Sequence, residues 1–254
     1  MSDTSETLPT DRALTREEQN KLLTELERSN QALKEFAYIV SHDLKAPLRA
    51  ISSLVQWITE DYVDVVDEDG QEQLELLSSR VKRMEGLIDG ILQYSRVGRV
   101  CEASSLVNLN TLLPQVIDLL APDPQRYQIT YPTDLPTISG DKTRIHQLFQ
   151  NLLSNAIKFN DKEVGEISIH CAGPEDNLWT FTVSDNGPGI DPKHHETVFQ
   201  IFQTLQARDE YESTGVGLTL VKKIVQLHSG TVWVTSEPGL NCTFHFTWPV
   251  HVDA

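Results

Sequence analysis

The stretch FAYIVSHDLKAPLRA at residues 36–50 lies within a long helical pattern of apolar residues. Up to Val40 these residues keep the a and d spacing of a heptad, with Ser29 as the one polar interruption. The pattern continues to Tyr62 and predicts one helix over residues 16–62, about 70 Å long. So narrow an apolar seam needs a partner helix, which favours a parallel dimer. The seam consists of Leu22, Leu26, Leu33, Phe36, Val40, Leu44, Leu48, Ile51, Val55, Ile58 and Tyr62.

Pro47 lies inside this predicted helix. It has no N–H to donate to the carbonyl of Asp43, so we expect a kink at this point. The steps from Val40 to Leu44 to Leu48 are four and four, which is one stutter in the heptad and locally unwinds a supercoil.

A second helix is predicted after DEDG at residues 67–70, which breaks the first pattern. Its apolar residues follow clean three-four spacing, so the two helices form a hairpin with one apolar face. Two hairpins bury those faces as a four-helix bundle. The second seam consists of Leu74, Leu77, Val81, Met84, Ile88 and Ile91.

The rest of the chain has a different pattern, which predicts an α+β sandwich with a mixed sheet and helices on one face. We expect a disordered segment over 1–14, the helical domain over 15–98, a linker over 99–108 and the α+β domain over 109–254. The irregular segment 188–214 is long enough to be a functional lid. Helices are expected at 110–120, 141–159 and 215–228, and strands at 126–131, 165–171, 178–184, 230–235 and 242–248.

His42 is the first candidate functional residue. It lies two residues from Val40 and two from Leu44, so it points about 200° away from the seam and into solvent. A plain surface histidine fits this position equally well. Asp43 follows directly, and a carboxylate beside an imidazole can hold one tautomer and take up its proton.

Three further motifs predict a binding site for an anionic ligand. On the predicted helix 141–159, Asn151, Asn155, Lys158 and Phe159 share one face, with oxygen ligands suited to Mg²⁺ and a mobile phosphate-binding cation. A plain amphipathic helix is the alternative. The segment DNGPGI at 185–190 follows a strand, and its glycines permit close backbone approach to a ligand, although alone it also fits a tight turn. Finally Gly215, Val216, Gly217 and Leu218 open a helix, whose free N–H groups can bind an anion.

Composition excludes several classes of protein. The net charge of -16 opposes binding to nucleic acid or to an anionic membrane surface. Three widely spaced cysteines suit a reducing compartment, and no stretch approaches the roughly 20 apolar residues that span a bilayer. We therefore expect a cytoplasmic protein without direct membrane insertion. Its sensing module would be separate or missing from this chain.

In their order and spacing, these motifs resemble those of the sensor histidine kinases, and within them the phytochrome-associated and similar PAS- or GAF-linked kinases. The resemblance covers about residues 20–250. It implies that His42 is the phosphoacceptor with Asp43 as its acid/base partner. It also implies that Asn155 is the main Mg²⁺ ligand with Asn151 beside it, and that Phe159 packs near the adenine.

The same resemblance assigns roles to the glycine-rich motifs. Asp185 would accept the adenine amino hydrogen, and the box at 215–218 would hold the phosphates as the lid closes. Phe199 and Phe202 match the family's Phe motif. Arg208 either reaches the γ-phosphate or forms a surface salt bridge with Asp209 or Glu210. Gly187 and Gly189 would shape the pocket floor, and Ile190 is the remaining residue implied to bind ATP.

The function implied is autophosphorylation of His42 by Mg²⁺ and ATP in a homodimer, followed by transfer to an aspartate of a response regulator receiver domain. Ala46 stands where many members carry Thr or Asn, which argues against phosphatase activity by the usual route. Two other interpretations remain open. One is a non-catalytic dimeric scaffold with a nucleotide-binding domain, and the other is a related ATPase that phosphorylates Ser in another protein.

Overall fold

The computed structural model describes residues 15–62, 65–97, 104–205 and 214–250. The first helix, α1, spans Arg16–Asp61. It begins with a capping box, in which Thr15 Oγ1 accepts from the Glu18 N–H and Glu18 accepts from the Thr15 N–H. The predicted long helix is confirmed, and it continues through Pro47.

The second helix, α2, spans Glu68–Arg96 and packs along α1. Asp67 caps it by accepting a hydrogen bond from the Gly70 N–H. Residues 67–70, predicted to interrupt the helical pattern, therefore cap and begin this helix. Between the two helices, Leu48 packs against Val81 and Ile88 in a small buried cluster.

The C-terminal part contains a five-stranded mixed sheet in the order β2-β4-β5-β7-β6. Only β2 and β4 pair in parallel, and the other neighbours are antiparallel. The strands are β2 (Tyr127–Thr130), β4 (Gly165–Glu175), β5 (Leu178–Asp185), β6 (Val232–Glu237) and β7 (Asn241–Pro249).

Three helices cover one face of this sheet: α3 (Leu109–Leu120), α4 (Lys142–Lys158) and α5 (Gly217–Leu227). Alternate residues of the strands point into the core, as the period of two requires. At its centre, Phe246 stacks on Phe181 with ring centroids 5.0 Å apart and meets the edge of Phe149 at 5.7 Å. The predicted sandwich with helices on one face is confirmed.

Two short strands were not predicted. β1 (Ser105–Asn108) pairs with β3 (Thr137–Gly140) as a separate two-stranded ribbon. The predicted linker 99–108 is therefore wrong for its last four residues, because Val107 of β1 is buried in the core. Residues 98–103 lie outside the described part of the chain.

The predicted irregular segment 188–214 contains two short 3-10 turns, Pro192–His194 and Thr197–Phe199. Residues 206–213 of it are not described. Among the residues that the structure describes, no helix combines the length and apolarity needed to cross a bilayer.

Candidate functional site

His42 lies in the middle of α1 and projects into solvent, with 74% of its side chain exposed. Its Nδ1 atom is 3.2 Å from Oδ1 of Asp43, whose side chain is 73% exposed. When Nδ1 carries the proton and its N–H donates to Asp43, the lone pair lies on Nε2, at the far side of the ring from Asp43. The expected outward direction of His42 is confirmed.

A cavity of about 280 Å³ lies between α4, the segment after β5 and the start of α5. Both apolar and polar residues line it, as expected for a ligand with an aromatic ring and a charged tail. Ten of the predicted site residues line it together: Asn151, Asn155, Lys158, Phe159, Asp185, Gly189, Ile190, Gly215, Gly217 and Leu218.

Helix α4 supplies the polar side because its opposite face is fully used in the core. Asp141 caps the helix by accepting from the backbone N–H groups of Thr143 and Arg144. Asn151 Nδ2 donates to the Gln147 carbonyl at 2.7 Å, so the amide oxygen is free to point elsewhere. A Cβ at position 217 would lie only 2.7 Å from that oxygen, so a larger residue there would displace the Asn151 amide.

Asp185 ends β5 at the bottom of the cavity. Its Oδ1 accepts a hydrogen bond from the Gly187 N–H at 2.9 Å. Burial raises the pKa of Asp185 to about 6, the Gly187 bond opposes this rise, and the charge of Asp161 adds to it. The ionised form of this carboxyl accepts hydrogen bonds at both oxygens, whereas protonation turns one oxygen into a donor and weakens the acceptor.

Two glycines in the cavity wall have backbone angles that disfavour other residues. Gly189 has φ +70°, and a Cβ there would collide with the Glu237 carbonyl. Gly215 has φ +66°, and a Cβ there would lie 2.6 Å from the carbonyl oxygen of Gln203. The backbone is thus brought close to the cavity at both ends of the irregular segment.

Three predicted site residues do not line the cavity. Gly187 does not line the cavity itself, and its backbone N–H donates a hydrogen bond to Oδ1 of Asp185, which does. The Phe202 ring is 43% exposed, although its N–H bonds the Gly215 carbonyl. Val216 is buried against Gly90 of α2, so its side chain faces the hairpin. Arg208 lies outside the described residues, and its predicted role stays a prediction.

The cavity is also lined by residues that the sequence did not predict. Ser154 lies on the face of Asn151 at a spacing of three, so helical spacing alone indicates it. Nothing in the sequence indicated Cys242, because only the pairing of β5 with β7 places it opposite Asp185. Burial, and then the charge of Asp185, raise the pKa of the Cys242 thiol. The other missed residues are Pro188, Val198, Gln203, Thr204, Leu205, Thr214 and Phe244.

Helix α5 and the residue before it are in direct contact with the hairpin. The Lys223 ammonium of α5 donates to the Tyr94 carbonyl at 2.6 Å and lies 3.7 Å from the centre of the Tyr94 ring. One turn away, a Cβ at Gly90 would lie 2.5 Å from Val216 Cγ2. Val97, directly after α2, belongs to the core of the α/β domain and is 1% exposed.

Two family models match this chain. The His Kinase A (phospho-acceptor) domain matches residues 32–99, which contain His42. The family described as histidine kinase-, DNA gyrase B-, and HSP90-like ATPase matches residues 140–252, which contain every residue lining the cavity. The chain belongs to the sensor histidine kinases.

Relatives support this family membership. This histidine kinase chain is 42% identical over 235 residues to cyanobacterial phytochrome A of Nostoc sp. strain PCC 7120, covering 91% of the chain and 30% of that relative. It is 32% identical to the adaptive-response sensory kinase SasA of Synechococcus sp. strain JA-3-3Ab, covering 93% and 63%. The chain therefore spans less than a third of the phytochrome relative.

Solved structures share the fold. Full-length ShkA in complex with AMPPNP matches with a TM-score of 0.62 at 24% identity, covering 87% of this chain and 46% of that one. Histidine kinase ThkA in complex with the response regulator protein TrrA matches with a TM-score of 0.59 at 22% identity, covering 90% and 66%. Both likenesses concern the architecture of hairpin and α/β domain together.

Proposed function

We propose that this chain transfers the γ-phosphoryl group of ATP to His42 and then to an aspartate of a response regulator receiver domain. The observation that carries the proposal is the exposed imidazole of His42, with Nδ1 beside Asp43, in a chain that also contains a cavity lined by Asn155 and Asp185. The family models that match both regions support it.

ATP would lie with its adenine toward Asp185 and its phosphates toward α4 and α5. An ionised Asp185 accepts a hydrogen bond from the 6-amino group of adenine, whereas guanine presents an oxygen at that position. Val198 and Phe244 give the ring an apolar wall. The Lys158 ammonium lies 5.7 Å from the centre of the Phe159 ring, close to where the charged tail would begin.

The residues at the polar end also fit Mg²⁺. Asn155 and Asn151 provide neutral amide oxygens, and Mg²⁺ prefers few protein ligands together with phosphate oxygens and water. Bound there, Mg²⁺ neutralises charge on the β- and γ-phosphates. Asn155 would be the main ligand, and the backbone N–H groups at the start of α5 would bind the phosphate oxygens left over.

In the first transfer, Nε2 of His42 forms a bond to the γ-phosphorus while the bond from that phosphorus to the β–γ bridging oxygen breaks. ADP leaves with the electron pair of the broken bond. The proton on Nδ1 is shared with Asp43, which stabilises the positive charge that develops on the ring. In the second transfer a carboxylate oxygen of the receiver replaces the imidazole on phosphorus.

A homodimer would cover the apolar residues that the hairpin leaves exposed. Several seam residues of α1 stay partly exposed beside α2: Val40, Leu44, Ile51 and Ile58 are 37–46% exposed, in a row on one side of the helix. A second hairpin packed on this row gives the predicted four-helix bundle. Reduced Cys171 and Cys242 also fit the expected cytoplasmic location.

Labelling with [γ-³²P]ATP and Mg²⁺ tests the first transfer. We expect acid-labile, base-stable label on the chain, and none on the His42→Gln variant. His170→Gln is the matched control, because His170 is an exposed histidine on the far side of the sheet, and it should label fully. Absence of label would favour the scaffold interpretation. Label that survives in His42→Gln would favour a kinase acting on another residue.

A further inference from the structure

Lys45 and Asp89 form an ion pair that joins α1 to α2. The pair lies beside the buried contact between Leu48 and Ile88, and it is only partly covered, with 33% of the Lys45 side chain and 52% of the Asp89 side chain exposed. Such an exposed pair contributes little to folding stability. Its position, three residues after His42, suggests a different role.

Helix geometry places Lys45 next to His42. Side chains three residues apart are neighbours on a helix, with Cβ atoms about 5–6 Å apart. The lysine side chain has a flexible stem of four carbons, so its ammonium can move from Asp89 toward the His42 ring without any change in the backbone. The other cation of residues 36–50 is Arg49, which is two turns from His42 and donates from Nε to the Lys45 carbonyl.

We propose that Lys45 binds the phosphoryl group on His42, and that Asp89 is a positioning residue that holds the Lys45 ammonium until that group arrives. This inference rests on the proposed function only for the presence of phosphate on His42. A phosphoryl group carries close to two negative charges and Asp89 carries one, so the ammonium exchanges its partner when His42 is phosphorylated. On transfer to the receiver, the ammonium returns to Asp89.

The exchange stabilises phosphohistidine against water. Hydrolysis breaks the P–N bond, forms a bond from the water oxygen to phosphorus and returns a proton to the imidazole. In a loose transition state the phosphoryl group has less negative charge than in phosphohistidine. A cation that binds it therefore stabilises the phosphorylated protein more than the transition state and slows hydrolysis.

The test uses the full chain phosphorylated on histidine by potassium phosphoramidate, so that no ATP is needed. The decay of the phosphohistidine signal is followed by ³¹P NMR, and the signal missing from His42→Gln identifies phosphate on His42. We expect Lys45→Met to shorten the half-life about threefold or more. Asp89→Asn should lengthen it about twofold, because the ammonium is released toward His42.

The double variant and a matched control separate this role from a structural one. Lys45→Met with Asp89→Asn should behave as Lys45→Met alone, since Asp89 acts through Lys45. Lys82→Met removes an exposed lysine elsewhere on α2 and should leave the half-life unchanged. If Lys45→Met leaves the half-life as it is, or if both single variants shift it in the same direction, the inference is wrong.

The result is independent of kinase activity. If ATP fails to label His42 while the chemically phosphorylated chain keeps the opposite effects of Lys45→Met and Asp89→Asn, the proposed function fails and this inference stands. If ATP labels His42 and the half-lives of all variants agree, the inference fails and the proposed function stands.

Discussion

The hairpin and the α/β domain bury their apolar residues to very different extents. In the α/β domain, aromatic and aliphatic residues from the sheet and from α3, α4 and α5 form one continuous core, in which Phe246 and Trp248 are fully buried. In the hairpin the buried cluster is Leu48, Val81 and Ile88, and much of the apolar seam of α1 is exposed. The first region is complete as one chain, whereas the second needs another surface to cover it.

This contrast separates stability from assembly. Burial of apolar area is the main favourable term in folding, so the α/β domain should unfold at a denaturant concentration that does not depend on protein concentration. The hairpin should gain much of its stability from association, which does depend on concentration. The predictions below test each side of the contrast, beginning with the largest effect.

Phe246→Ala should cost the α/β domain about 3–5 kcal/mol of unfolding free energy, because the ring is fully buried between Phe181 and Phe149. Urea unfolding followed by tryptophan fluorescence measures this. Trp233→Ala is the control on the open face of the same sheet, where the ring is 38% exposed, and it should cost about 1 kcal/mol. Equal costs at the two sites would show that the core is not where the structure has it.

Ile51→Glu should weaken the dimer about 100-fold, since it places a charge on the exposed seam of α1 that the second hairpin would cover. Sedimentation equilibrium measures the dissociation constant. Ser53→Glu adds the same charge to the face of α1 that carries His42, three turns away, and should leave the constant within about threefold. A dimer that tolerates Ile51→Glu would contradict the four-helix bundle.

Nucleotide binding should weaken by up to about tenfold from pH 7 to pH 5, because the pKa of Asp185 is raised to about 6 and the protonated carboxyl is a weaker acceptor for the adenine amino hydrogen than the ionised one. Isothermal titration with ADP measures the affinity. The Asp185→Asn variant is the control, because any pH dependence that it keeps comes from protonation of the nucleotide itself. This variant should bind ADP weakly, and its affinity should change less with pH.

The folding stability of the α/β domain should fall as the pH rises through the titration of Asp185, whereas nucleotide binding should strengthen. Its pKa is higher in the folded chain than the usual 3.8, so the folded state holds the proton more tightly than the unfolded state does. The unfolding free energy of the α/β domain therefore falls as the pH rises from about 4 to about 6. An Asp185→Asn variant that lost the same amount of stability over this range would refute the assignment.

Lys223→Met should weaken the contact between α5 and α2, with a smaller effect than the changes above. It removes the hydrogen bond to the Tyr94 carbonyl and the contact with the Tyr94 ring. We expect amide exchange in the last turn of α2 to accelerate about fivefold, as measured by hydrogen–deuterium exchange. Lys222→Met, at the neighbouring position of α5, is the control and should leave this exchange unchanged.

The two regions also differ in how well their sequences predict them. The seam from Leu22 to Tyr62 predicts α1 to within one residue at its end, because helical periodicity is a local signal. The boxes around Asn155 and Asp185 were predicted for the same reason, since the chemistry of each is contained in a few consecutive residues. His42 was predicted to face solvent from its spacing to Val40 and Leu44.

The missed features depend on contacts between distant segments. β1 and β3 have four residues each and pair across about thirty intervening residues, so neither has a periodic pattern long enough to detect. Cys242 lines the cavity only because β7 pairs with β5. The sequence placed Val216 in the nucleotide site with its neighbours, whereas tertiary packing turns its side chain toward Gly90.

The most direct test of the account is the position of the phosphate on the His42 ring. The chain would be labelled with ¹⁵N-histidine, incubated with Mg²⁺ and ATP, and examined by ³¹P NMR for coupling between phosphorus and a ring nitrogen. The account predicts phosphate on Nε2, because Nδ1 faces Asp43 at 3.2 Å. Phosphate on Nδ1, or on an oxygen of any residue, would contradict it.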